Sequence, residues 1–256
     1  MSHHAAVFLF LGCLFVGMVL LLELGRRTKR LRADSSAGSG LGPLEGALFG
    51  LLGLLLAFTF SSAAARFDAR RHLIVEEANA ISTAYLRLDL LPPASQQALR
   101  ASFREYTDAR LHGFEAFPDL VGAQAQFDKA DALQGTIWRQ AVAACKAEDG
   151  QAARLLIPAL NEMFDITTTR AVAMRTHLPN LILGMLAVLA FVCAFLAGTA
   201  MPQGTVPSVV RGVAFPLILV VTVYVILDLE YPRAGLIRID SVDEVIADVR
   251  RSMDAP

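Results

Sequence analysis

Two acids stand where few acids stand, Asp228 and Glu230 in VILDLEYPRAG, at the end of a long apolar run. A basic set, Arg66, Arg70 and Arg71, follows another apolar run, LEGALFGLLGLLLAFTFSSAAA. Carboxylates and guanidiniums at the ends of membrane-length runs can pair with each other, or the acids can hold a cation. If the two runs end on one side of a membrane, the expected reading is an interfacial ion-pair cluster of Arg66, Arg70, Arg71, Asp228 and Glu230. Catalytic chemistry has no comparable set. There is no Ser/His/Asp arrangement, no phosphate loop and no carboxylate pair placed in a cleft. His72 and Glu76 are four apart and suit a pair on a helix surface, but a metal would need two further ligands that no spacing supplies. His3 and His4 read as solvated tail. Cys13, Cys145 and Cys193 lie far apart without a CxxC and read as structural thiols. The expectation is no enzyme, no metal site and no cofactor, and a net charge of -1 gives no case for nucleic acid.

The elements that must position these residues are helices. The chain is 55% hydrophobic and 18% charged, too apolar for an ordinary soluble domain of 256 residues. Four runs are long enough to cross a bilayer: Ala5–Leu24, Leu44–Ala65, Leu181–Met201 and Val206–Leu229. The spacing predicts an all-α membrane protein, with four transmembrane helices and a helical bundle inserted between the second and third. Its expected parts are a first span (1–25), a basic Gly/Ser-rich loop (26–43), a second span (44–65) running into the bundle (66–179), a transmembrane hairpin (180–229) and an amphipathic tail (230–256). Neither glycine nor proline occurs between Gly53 and Pro92, so one helix is expected from about Glu45 to Leu90. Its membrane half carries Gly46, Gly50, Gly53 and Ala57, small residues that let another helix approach closely, within the chain or between chains. Phe58 and Phe60 point elsewhere, toward lipid or neighbouring helices, and are the candidates for narrowing a pore. Farther on, Ile74, Ala78, Ile81, Tyr85 and Leu88 form an apolar stripe, able to continue a contact between chains, while Arg70, Arg71, Glu76, Glu77 and Arg87 read as the solvated face.

The bundle's other helices are expected over 94–111, 123–147 and 152–178, with one turn marked by His112-Gly113 and Phe117-Pro118 and a break at Glu148-Asp149-Gly150. MPQGTVP reads as the hairpin turn between the last two spans, and Arg211 as a snorkelling residue. Ser241 and Glu244 read as a capping box opening a tail helix that docks on the bundle or lies on the membrane. Arg26, Arg27, Lys29, Arg30 and Arg32 crowd one loop, which the positive-inside rule puts in the cytoplasm and the bundle outside it, in a bacterial inner membrane.

LAFTFSSAAARFDARRHLIVEEANAISTAYLRLDLLP (56–92) and ILDLEYPRAGLIRID (226–240), with the four-span layout, resemble a family of bacterial membrane proteins described as bestrophin-like. The resemblance implies the architecture of bestrophins, which are pentameric anion channels with four spans per subunit and a second helix that lines the pore. Its functional expectation is a homo-oligomeric ion channel or pore in the lipid bilayer. The alternative is a non-conducting scaffold or sensor whose bundle binds a protein partner.

Overall fold

The structure is a computed structural model that describes residues 3–31, 42–117, 119–146, 151–201, 209–233 and 235–254. Every regular element among them is helical: α1 His3–Leu31, α2 Gly42–Leu86, a 3-10 turn Arg87–Leu90, α3 Pro93–Glu115, α4 Leu120–Lys146, α5 Gln151–Arg175, α6 Asn180–Ala200, α7 Val209–Glu230 and α8 Asp240–Ser252. Four of the helices are long and apolar enough to cross a membrane. The Gly/Ser-rich part of the basic loop (32–41), the breaker at 148–150, the hairpin turn at 202–208 and the side chain of Arg211 lie outside the described residues.

The chain divides into two compact units, Met1–Ala65 with His177–Tyr231, and Arg66–Thr176 with Pro232–Pro256. α2 is continuous from one into the other, as its lack of breakers requires. It ends in the 3-10 turn, and Pro92 and Pro93 then start α3 in the positions where a missing N–H costs nothing.

In the first unit α1 packs on α6 and α7 around Leu14, Met18, Leu186, Cys193 and Val223. The close approach of α1 and α6 rests on Gly25 and Gly198. A Cβ on Gly25 would collide with the carbonyl of Phe195, and one on Gly198 with the carbonyl of Leu22. Backbone meets backbone there, the contact that drives helix association in lipid.

In the second unit the outer half of α2 is wrapped by α3, α4 and α5. Ile74, Ile81, Leu88, Phe103, Ile137, Leu156 and Met163 are fully buried in one core. The stripe from Ile74 to Leu88 is therefore spent inside the chain and cannot continue a contact between chains. Gly113 marks no turn either, for α3 runs on to Glu115. A Cβ at Gly113 would stand 2.5 Å from the Phe127 ring, so its smallness serves packing between α3 and α4. α8 docks on α3. The Tyr85 hydroxyl donates to the Met253 carbonyl at 3.0 Å, and Arg250 donates to Asp108 at 2.7 Å. α8 starts at Asp240 with Ile239 as its cap, without a side-chain bond, so the expected Ser241 capping box is not formed. Asp240 and Asp243 sit in its first turn, where acids complement the helix dipole, and both bind Arg233.

Candidate functional site

The small residues of α2 stand clear of the rest of the chain. A Cβ at Gly46, Gly50 or Gly53 would meet nothing within 4 Å, and Ala57 is exposed. Phe58 and Phe60 are exposed too. Leu52, Thr59 and Ala63, on another side of the same helix, are buried. The helix thus has a covered side and an uncovered one. In steps of three and four the uncovered side continues through Ser61, Asp68, Arg71, Val75, Asn79 and Leu86, all exposed. On its membrane half Gly46, Gly50, Gly53, Ala57 and Ser61 contribute no more than a methyl or hydroxymethyl, with the exposed Leu51 and Leu54 beside them, so the helix is thin at those small residues.

The five residues expected to form one interfacial cluster fall in both units, the three arginines in one and the two acids in the other. Arg70 is buried, against the expectation of a solvated face. Its guanidinium donates to the carbonyls of Ala173 (3.1 Å) and Thr176 (2.7 Å), completing the carbonyl end of α5. Arg71 is exposed and stands 3.6 Å from Asp68. Asp228 and Glu230 are buried at the end of α7. Glu230 accepts the Leu178 N–H at 3.1 Å and lies 3.7 Å from His177 Nδ1, whose ring stacks on Tyr231 at 4.6 Å.

A second charged centre went unseen in the sequence. Glu77, read there as solvated, is fully buried. It accepts from Arg110 Nε at 2.6 Å and Nη2 at 3.1 Å, and from Arg170 Nη1. Arg170 Nη2 is 3.8 Å from Asp243, which also takes two bonds from Arg233, at 2.8 and 3.1 Å. The Phe114 ring lies under all three guanidiniums, at 4.1 Å from Arg170, 4.7 Å from Arg233 and 5.1 Å from Arg110. Five elements meet here, α2, α3, α5, α8 and the segment leading into it. Burial opposes ionisation of Glu77, but Arg110 and Arg170 more than offset it and hold its carboxyl below the usual value. Burial and the neighbouring Arg110 press Arg170 down as well, though a guanidinium stays protonated in proteins. Burial also pushes the Tyr106 phenol up, with Gln134 beside its hydroxyl opposing the shift. The centre has no nucleophile with a base, and its chemistry is that of a clasp. The sequence did carry a signal for it. Glu77 falls between Ile74 and Ile81 on the buried stripe, and Arg170 extends Leu156, Leu160, Met163 and Thr167 by one further step of three. Charged residues in register with an apolar stripe are buried if they are paired.

The model of the bestrophin-like domain matches residues 12–243. The chain belongs to the bestrophin-like domain family. Among solved structures, a bacterial bestrophin homologue from Klebsiella pneumoniae with a tryptophan-to-alanine mutation has a similar fold, with a TM-score of 0.68 at 13% identity, over 99% of this chain and 97% of that one. A tyrosine-to-alanine variant of the homologue from Klebsiella pneumoniae gives a TM-score of 0.65 at 13% identity, over 94% and 97%. No curated protein matches the chain. At such identities the structural likeness speaks for the fold: an all-α, multi-pass membrane protein of the bestrophin-like family.

Proposed function

We propose that this chain is one subunit of a homo-oligomeric membrane channel that passes anions, with α2 innermost. The observation that carries the reading is the uncovered side of α2. Among the described residues nothing packs on a Cβ at Gly46, Gly50 or Gly53, and Ala57 and Ser61 are exposed, although close packing is the main source of helix association in lipid. A helix thin on one side and covered on the other is suited to an inner ring, in which its thin side meets its own copies and the axis between them. The channel expectation attached to the bestrophin resemblance fits that place for the second helix. Phe58 and Phe60 are exposed on its flanks and are the groups bulky enough to narrow such a passage. The setting is the bacterial inner membrane, with the bundle on the extracytoplasmic side.

Halide flux into vesicles reconstituted with purified protein tests this. The expected result is a flux that follows protein density and favours chloride over potassium. Sealed vesicles at a verified density would refute conduction and favour the scaffold reading.

A further inference from the structure

Among the described residues of the second unit, the three most exposed large apolar side chains are Leu236 (82%), Val121 (81%) and Leu120 (69%). They come from two segments joined by one contact. The Arg233 guanidinium lies over the Phe117 ring at 5.6 Å, besides its place on Phe114. Leu236 is three residues after Arg233, and Leu120 three after Phe117. Bare side chains of this size each forgo about 1.5–3 kcal/mol of burial, so an exposed group of them calls for a partner.

The covalent chain says which partner is at hand. α7, the fourth span, ends at Glu230. Arg233 is three residues farther, at most about 10 Å even if fully extended. Ile239 N–H donates to the Pro232 carbonyl at 3.3 Å, and Leu236 lies between these two residues in the chain. Phe117, three residues before the start of α4, is held to the same root through Arg233. An apolar edge rooted at the end of a membrane span is in reach of the headgroup layer and the outermost acyl carbons. Glu115 and Asp119 are exposed beside it, and the exposed Arg238 of the same segment is paired with Asp240, so the edge offers apolar contact rather than an uncompensated positive charge. The exposed leucines at the opposite end of α2 are different. Leu86 lies 21 residues beyond Ala65, about 30 Å along the helix, and cannot reach the same lipid.

We infer that Leu120, Val121 and Leu236 form a lipid-binding edge that inserts into the interfacial layer of the bilayer crossed by the chain's own spans. It anchors the bundle by apolar contact, in the way interfacial elements do. The inference does not rest on conduction.

The test uses the full chain in phosphatidylcholine vesicles, with single tryptophans introduced as Leu236→Trp, Val121→Trp and Leu86→Trp. Trp138 is kept in all of them, and its emission, measured in the wild type, is subtracted. Replacing the lipid by its form brominated near the top of the acyl chains should remove most of the emission at 236 and 121. The tryptophan at 86 should keep its emission and be quenched by aqueous iodide. Neither pattern should change with the fraction of anionic lipid. Emission at 236 and 121 that behaves like that at 86 would overturn the inference. So would protection from both quenchers, which would mean that protein covers the edge.

Discussion

Replacing Glu77 by glutamine removes the one charge on which two buried arginines converge. Arg110 would keep the rings of Phe114 and Phe127, at 5.1 and 5.2 Å, and Arg170 would keep Asp243 at 3.8 Å. Breaking a buried ion pair from one side costs about 3–5 kcal/mol, because the remaining charge stays buried. Glutamine preserves volume and one acceptor, so the lower end, about 3 kcal/mol, is the expectation. At a slope of about 1–3 kcal/mol per molar urea, the midpoint should fall by about 1–3 M. The assay is urea unfolding in detergent, followed by the chain's only tryptophan. Trp138 packs edge-on against Phe164 at 6.5 Å at the border of the bundle core and reports that unit. Glu76→Gln, exposed on the same helix, should stay within about 0.5 kcal/mol of the wild type. The pH dependence has a fixed sign. The folded-state carboxyl lies below its ordinary 4.5, so its contribution is complete above that value and is lost as pH falls through the folded-state value. The gap between wild type and Glu77→Gln should be full at neutral pH and close in acid. Equal midpoints at neutral pH would refute the clasp.

Other substitutions separate the remaining contacts. Gly198→Ala places a methyl on the Leu22 carbonyl and should cost about 1–3 kcal/mol or more, seen as loss of monodisperse protein, while Gly184→Ala, with nothing within 4 Å, should be neutral. Arg233→Ala removes both bonds to Asp243 and should speed amide exchange throughout α8; Arg238→Ala, on an exposed pair, should not. Lys129→Cys, half exposed on the bundle, should react with a membrane-impermeant maleimide in intact spheroplasts; reaction only after lysis would place the bundle in the cytoplasm.

Much of the architecture was legible because it depends on local rules. A breaker-free stretch from 54 to 91 makes one helix, and apolar length makes a span. The apolar stripe named the core at Ile74, Ala78, Ile81, Tyr85 and Leu88. What escaped depends on pairing between distant segments. Glu77 and its arginines meet across 33 and 93 residues, and residue type alone sent Glu77 to the surface. Gly113 looked like punctuation because the ring of Phe127, which it accommodates, lies on the next helix. The glycines at 25 and 198 are ordinary in a membrane span until the two backbones are seen to touch. Conversely, the glycines of α2 were legible as a packing surface, but no sequence pattern states that the chain itself leaves them bare.

The central claim is that the bare side of α2 meets other copies of the same chain. The mass of the purified protein in native-like detergent, for the wild type and for Gly50→Leu, tests it most directly. The account predicts a wild-type mass that is a multiple of one chain, shifted to smaller species by Gly50→Leu and left unchanged by Gly184→Leu. A wild type that is one chain at every workable concentration would contradict it, and the intersubunit channel would fall with it.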